Sequence, residues 1–523
     1  MKNLQIIFFV WSAILLYSCG PQKQEDKTDS QNTPMKEAKY SPDWKSLAGH
    51  NEAPDWFQDA KFGIYFHWGV YSVPEFGSEW YPHWMHMSDD STHWSDKTSN
   101  IDVMKSIYNH HLKTYGHPSK FGYHDFVPMF KAQKFNPEEW AELFQKAGAK
   151  FAGPVAEHHD GFSMWDSDVT PWNAKKKGPK RDITGELKKS ITSKGMKFIT
   201  TFHHARNLQR GTKDSVEYWD SHYPLLEGMP PSSKDPELAL LYGNIEKEKW
   251  HKEVWFAKLK EVVDKYQPDI IWFDSWLDRI PEQYRKEFAA YYLNEADKWG
   301  KEVVIVRKQD DLPLDFSVDD IEKARKNDVG AKVWMTDETI SKGSWSYTKD
   351  LKTKDTKDLV HVLVDIVSKN GVLLLNISPR ADGSISQEQQ KVLLEIGQWL
   401  KVNGESIYGT RPWVTYGEGP TKEPEGHHKN AHMFLNIKYS SKDIRFTSKG
   451  NSVYATLLGW PEKSEVLITS FAKKGFQGKV SNVSLLGSDQ KIMWKLEDNG
   501  LKVTFPDKVT DKIAPVLKIT LVQ

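Results

Sequence analysis

WFAKLKEVVDKYQPDIIWFDSW, residues 255–276, carries the pattern that decides the fold. Its first half spaces Trp255, Leu259, Val262 and Tyr266 at i, i+4, i+7 and i+11, a stripe that turns one helical face to a core. DIIWF (269–273) then forms a short, unbroken apolar run. A strand of that kind is buried on both faces, as in a parallel sheet covered by helices. The alternation extends in both directions. Upstream, strands are expected at Phe62–Trp68 (FGIYFHW), Phe151–Ala156 and Met196–Phe202 (MKFITTF), with helices at Pro137–Gly148 and Ile183–Lys194. Downstream come a helix through Trp299 and strands at Glu302–Val306, Lys332–Met335 and Gly371–Ile377 (GVLLLNI). Further helices are expected near Leu359–Val367 and Gln387–Val402. Seven readable strands and a plausible eighth predict an α/β fold, an irregular (β/α)8 TIM-like barrel over 41–405. No GxGxxG follows the first strand, which counts against a dinucleotide-binding sheet. The irregular stretch Pro74–Tyr123, rich in His, Trp and Tyr, reads as a long loop over the barrel mouth.

After Gly404 the pattern changes. Gly409–Gly426 is rich in Gly, Pro, Thr and Glu. Short alternating runs follow at Met433–Tyr439, Val453–Leu458, Glu465–Phe471, Lys491–Leu496, Leu501–Phe505 and Val516–Val522. They predict a C-terminal antiparallel β-sandwich over 406–523.

The 523-residue chain has 13% aromatic residues, 22 of them tryptophan, which no disordered chain carries. Lys+Arg and Asp+Glu both number 71, so no field gathers phosphates and no nucleic-acid partner is expected. At a mean hydropathy of −0.64, no run beyond the leader has the ~20 apolar residues of a membrane helix. Residues 1–18 read as a signal peptide: Lys2, then the apolar stretch Leu4–Tyr17, bounded by Ser18. The single cysteine, Cys19, stands at the cleavage position, as in a bacterial lipobox, and excludes an intrachain disulfide or a thiolate zinc site. Lipidation of Cys19 and a polar tether over 19–40 would hold the protein in the cell envelope, periplasmic or on the outer-membrane surface.

In a barrel, chemistry gathers just beyond the carboxyl ends of the strands. There stand His67-Trp68-Gly69 with Glu79-Trp80-Tyr81, Glu157-His158-His159-Asp160, His203-His204, Asp274-Ser275-Trp276, Arg307, and Trp334 with Asp337-Glu338. One histidine at a strand end is ordinarily a hydrogen-bonded core residue; five at three consecutive ends point to a site. With Asp160 or Asp274 the imidazoles could ligate zinc, yet the spacing matches no HExxH helix and no metal is expected. Tryptophans beside polar donors suit stacking on the apolar face of a sugar whose hydroxyls bind His, Glu and Arg.

FGIYFHWGVYSVPEFGSEWY, EHHDGFSMWDS, IIWFDSW, SWSY, and LVDIVSKNGVLLLNISPRADGSI running into IGQWLKVNGESIYGT resemble glycoside hydrolase family 29, the retaining α-L-fucosidases. The resemblance spans about 44–410. It implies an irregular barrel with a C-terminal β-domain, cleavage of terminal α-L-fucosyl residues of fucosylated glycans, and no cofactor. It places Asp274 as nucleophile and His67, Glu79, Trp80, His158, His159, Arg307 and Trp345 on the sugar, with His203 lining the same pocket. A carboxylate at a strand end beside tryptophans can attack an anomeric carbon, which agrees. The family's acid/base lies downstream of Arg307, where DFSVDDIEKAR offers Asp319, Asp320 and Glu322; Glu322 is preferred, since the other two could be helix N-terminal acids. Four departures surround the pocket: Glu157 for a usual lysine, Ile305-Val306 for Asn-Asp, WMTDET for a Trp-Glu-Thr stretch, and Ser346 for a glycine. They leave open a related α-L-sugar, such as an α-L-galactoside or modified fucoside. A glycan-binding lipoprotein without turnover and a metal-dependent hydrolase are the rival readings.

Overall fold

Eight strands pair side by side in chain order, all parallel, and the last returns to the first. They are β1 (Phe62–Phe66), β2 (Phe151–Glu157), β3 (Lys197–Phe202), β4 (Ile270–Phe273), β5 (Val304–Arg307), β6 (Val318–Asp320), β7 (Trp334–Thr339) and β8 (Gly371–Ile377). Phe62 faces Leu373 across the closing seam. The computed structural model describes residues 38–87, 101–211, 221–223, 225–426, 433–434, 437–506 and 513–522. The leader, Cys19 and nearly all of the tether lie outside them. Lys39–Gln523 form one unit, and Tyr40 at its start is already buried, donating its N–H to Asn294.

Alternate strand residues fill the barrel: Tyr65, Val155, Ile199, Trp272, Val306, Val318, Met335 and Leu374 share one cluster inside it. The intervening residues face the helices. Trp255, Leu259, Val262 and Tyr266 are all buried, as their spacing predicts, although His251–Phe256 is wound as a π-helix ahead of the α-helix Ala257–Tyr266. Asn136 caps the helix Pro137–Lys146 by accepting from the N–H groups of Glu138 and Glu139, an N-cap that directs the chain toward β2.

The eighth strand is β6, three residues long and joined to each neighbour by two paired residues. The run expected as the sixth strand is therefore the seventh, and Asp337 and Glu338 lie within it rather than beyond it. Pro74–Tyr123 is not one loop, since its described part holds helices at Tyr81–Trp84 and Ile101–Thr114.

Eight antiparallel strands follow: β9 (Arg411–Glu418), β10 (Ile444–Lys449), β11 (Ser452–Leu457), β12 (Glu465–Ile468), β13 (Val480–Leu485), β14 (Met493–Glu497), β15 (Gly500–Thr504) and β16 (Val516–Leu521). They make a five-stranded sheet, β13-β16-β11-β10-β9, and a three-stranded one, β12-β15-β14, around Phe446, Leu457, Phe471 and Val503. β9 falls within the Gly-, Pro-, Thr- and Glu-rich stretch 409–426, where no strand was expected. β10 and β13 were not anticipated, and the described part of Met433–Tyr439 holds no strand. A buried charge cluster stitches this domain to the barrel. Arg445 Nε of β10 lies 2.5 Å from Asp365 Oδ1, Lys369 Nζ 2.9 Å from Asp365 Oδ2, and Glu423 pairs with both Lys369 and Arg445. Trp399 also donates its indole N–H to the carbonyl of Ala514. Among the described residues no helix is long and apolar enough to cross a membrane.

Candidate active site

At the carboxyl ends of the barrel strands, His67, Glu79, Trp80, His158, His159, His203, Asp274, Trp276, Lys308, Glu322, Asp337 and Trp345 line a cavity of about 140 Å³. His67, His158, His159, His203, Asp274 and Lys308 stand just past their strands and Asp337 stands within β7, while Glu79, Trp80, Trp276, Glu322 and Trp345 come from the loops that follow. Gly161, at φ +78, turns the chain after His158-His159-Asp160; an added Cβ there would lie 2.3 Å from the carbonyl oxygen of Leu241.

Asp274 lies just past β4 and is 7% exposed. Lys308 Nζ is 2.6 Å from its Oδ1 and His159 Nε2 is 3.3 Å from its Oδ2. Burial by itself would raise the Asp274 pKa, but Lys308, His203 and His159 outweigh it and hold the carboxyl well below the usual range. Lys308 Nζ is also 2.8 Å from Glu322 Oε2. Two contacts of 2.6 and 2.8 Å to one nitrogen put the carboxylate oxygens no more than 5.4 Å apart.

His67 packs edge to face on His158 and His203, which are tilted on each other, with the three ring centroids between 4.7 and 5.5 Å apart. One nitrogen from each falls within 4.8 Å of the others. Burial pushes His67 down to about 3 and His158 and His203 well below the usual range, so all three are neutral. Asn376 Oδ1 accepts from both the backbone N–H and Nδ1 of His67, at 2.9 and 2.8 Å. The backbone N–H can only donate, so the amide orientation is forced and His67 is left with Nε2 as a bare acceptor. His159 Nδ1 donates to the carbonyl of His203 at 2.5 Å, and burial pushes its pKa down against the pull of Asp274. Glu79 accepts at one oxygen from the Ser344 hydroxyl and the backbone N–H groups of Trp345 and Ser346, while burial raises its pKa. The turn carrying Trp345 is therefore built around Glu79. Trp80 and Trp276 form the other wall, with the Arg206 guanidinium 4.9 and 4.2 Å from their ring centroids.

Two family models match the chain. The family described as Alpha-L-fucosidase matches residues 28–405, and Alpha-L-fucosidase C-terminal domain matches 438–520. The chain belongs to the alpha-L-fucosidase family. It is thus a glycoside hydrolase with that family's barrel and C-terminal β-domain. It is 31% identical to a tissue alpha-L-fucosidase of Rattus norvegicus over 484 residues, covering 89% of this chain and 88% of the relative. Identity to a plasma alpha-L-fucosidase of Homo sapiens is 32% over 484 residues, 90% and 89% of the two chains. The alpha-fucosidase of Thermotoga maritima in complex with fucose superposes with a TM-score of 0.70 at 29% identity, covering 92% of this chain and all of that one.

Most of the residues singled out in this alpha-L-fucosidase family chain converge on the cavity, but Arg307, Asp319, Asp320, Asp160 and Glu157 do not. Arg307 turns away from it: one Nη donates to the carbonyl of Leu312, and its guanidinium pairs with Asp310 and Asp319, both at 3.3 Å. Lys308, the next residue, enters the cavity instead. Asp319 follows Arg307 out, beside Leu314 and Trp334. Asp320 is fully buried beneath the site and does not line it. Glu322 does, delivered by a turn in which Glu322 and Lys323 both take positive φ, 21° and 56°. Asp160, considered as a zinc ligand, instead accepts from Tyr123 Oη at 2.6 Å behind the histidines. Glu157 also points behind the pocket, to the buried Lys258 at 2.7 Å. Lys308 and Asn376 were missed. The signal for Asn376 was a lone amide in the apolar run GVLLLNI; for Lys308 it was only adjacency to Arg307.

Proposed function

We propose that this protein is an exo-acting retaining α-L-fucosidase that releases terminal α-L-fucosyl residues from extracellular glycans. The observation that carries the reading is the pair Asp274 and Glu322. Retaining glycosidases hold their two carboxyl groups roughly 5–5.5 Å apart, and these two meet on one ammonium within that span. Asp274, held ionised, attacks the anomeric carbon as the bond to the leaving oxygen breaks. Glu322 gives that oxygen its proton, then takes one from the water that hydrolyses the glycosyl-enzyme.

The surroundings support a single bound sugar. A cavity of about 140 Å³ is smaller than those that enclose drug-sized ligands and suits one ring at a chain end. His67 Nε2 accepts from a hydroxyl, Glu79, His158, His159 and His203 supply further polar partners, and Trp80 and Trp345 offer apolar faces. Arg307, turned outward, has no place on the sugar in this arrangement. The three convergent histidines act here as hydroxyl partners rather than metal ligands, and the reaction needs no cofactor. The lipobox-like leader supports an exported protein held to a membrane through lipid on Cys19.

The test is hydrolysis of an aryl α-L-fucoside by wild type beside Asp274→Asn. Wild-type turnover reduced by on the order of 10⁴-fold or more is expected, as for loss of other covalent nucleophiles. Fucose binding without wild-type turnover would make the protein a glycan-binding lipoprotein. Turnover of an aryl α-L-galactoside alone would move the specificity to that sugar.

A further inference from the structure

The ammonium of Lys308 fills the space the reaction needs. Bonded to Asp274 at 2.6 Å and Glu322 at 2.8 Å, it lies between the oxygens that must flank the anomeric carbon and its leaving oxygen. A sugar seated for attack displaces it. One nearby group lacks a donor. Asp320 Oδ1 and Oδ2 and Asp337 Oδ1 are wholly buried with no hydrogen-bond partner, and only Asp337 Oδ2 is served, by Tyr65 Oη at 2.6 Å. Asp337 lines the same cavity as Lys308 and Glu322, and its carbonyl accepts from Lys323 N at 2.8 Å, tying β7 to the Glu322 turn.

We propose that Lys308 is a displaceable positioning residue: as the sugar enters, its ammonium moves from the gap between Asp274 and Glu322 to the Asp320–Asp337 pair, and the proton that pair holds passes to Glu322. This rests on the retaining reading above. Asp320 and Asp337 are both buried, their charges repel, and three of their four oxygens have no donor, so the two do not ionise together and the pair carries a proton. Burial and mutual repulsion raise both, Asp337 to about 6. The groups facing them are Tyr65 from β1, Lys308 from beyond β5 and Glu322 from beyond β6; on β8, Leu374 pairs with Asp337, and the Asn376 amide is spent on His67, Thr339 and Trp345. Charge balances across the step. Before it, Lys308 is positive and Asp274, Glu322 and the pair each carry one negative charge. After it, Glu322 is neutral and the pair carries two. The exchange vacates the gap and arms the acid together.

L-Fucose binding, measured calorimetrically, tests this. In Asp337→Asn the ammonium loses its destination and stays in the gap, so affinity should fall about tenfold or more, the reduction expected when the competent state is a tenth or less of the population. Adding Lys308→Met to that variant should restore affinity to near wild type, which general damage to the fold would not do. Asp320→Asn serves in the same way if Asp337→Asn does not fold. Wild-type affinity in the single variants, or no recovery on adding Lys308→Met, overturns the proposal. If the wild type neither binds fucose nor turns over an aryl fucoside, the retaining reading itself has failed. Turnover with affinity indifferent to Asp337 removes only the exchange.

Discussion

Replacing Asn376 by leucine tests whether the sugar pocket is built from its floor. Asn376 is fully buried and makes four hydrogen bonds: it accepts from His67 N and Nδ1 and donates to the Thr339 hydroxyl and the Trp345 carbonyl, at 2.8 to 3.0 Å. Trp345 O keeps a second donor, Ser378 Oγ at 2.8 Å, and the Thr339 hydroxyl can rotate. The two donors of His67 have no substitute. Stranding a buried polar group costs about 1–3 kcal/mol, so Asn376→Leu should destabilise the protein by about 2–6 kcal/mol in urea unfolding. The functional effect is separate. Without Asn376 the His67 proton is no longer held on Nδ1, Nε2 stops being a fixed acceptor, and KM for an aryl α-L-fucoside should rise about tenfold, the worth of one lost bond. Asn376→Asp keeps both acceptor contacts but sets a carboxylate against His67. The His67 pKa should climb from about 3, and the acid limb of kcat/KM should move to higher pH. A loss below 1 kcal/mol with unchanged KM in Asn376→Leu would refute the reasoning.

Glu322→Ala should slow fucosides with poor leaving groups by about 10²-fold or more and activated aryl fucosides far less, since only the former need a proton; equal losses would remove Glu322 as the acid. Asp274→Asn should cost the fold about 1–3 kcal/mol, more than a rim carboxylate would, because Lys308 and His159 lose a buried partner although Glu322 still holds the lysine; an unchanged melt would contradict the contacts. Stability should fall in acid. His67, His83 and His86 sit at about 3 in the fold, below their unfolded value near 6.5, so the unfolded chain binds protons the fold excludes. Stability is then full above about pH 6.5 and declines toward pH 3 by up to about 1.4 kcal/mol per unit for each ring. Equal unfolding free energies at pH 7.5 and 5 would contradict the burial of these rings. Cys19→Ser should shift the protein from the membrane fraction to the soluble one, and a variant that still sediments with membranes would end the lipid-anchor reading.

What the sequence displayed and what it hid follow from strand geometry. Runs such as IIWF and GVLLLNI are legible because both faces are buried and no period is needed to see them. β6 is three residues long with an acid at two of them, so no apolar run marks it, yet it bears two of the three candidate acids. Neighbouring residues on a strand project to opposite faces. That single step separates Arg307, turned to Asp310 and Asp319, from Lys308 in the cavity, and resemblance to a motif does not resolve it. Glu322 enters by a different route: the left-handed turn at Glu322 and Lys323 ends the alternation and swings its carboxylate to Lys308, and no local residue preference announces such a turn. In the sandwich, β9 and β13 are half exposed and broken by bulges, which blurs the alternation that exposes a strand.

The charge cluster of Asp365, Lys369, Glu423 and Arg445 has a consequence for how the chain is made. The barrel's penultimate helix and the turn into β8 contribute Asp365 and Lys369, which pair with each other, but the second partner of each, Arg445 and Glu423, arrives fifty to eighty residues later, and the partner of Trp399 later still, at Ala514. During synthesis the barrel has all its strands by Ile377 but holds only half of this buried four-charge cluster. A chain truncated after residue 405 keeps every catalytic group named above and should be less stable, since Asp365, Lys369 and Trp399 forfeit Arg445, Glu423 and the Ala514 carbonyl.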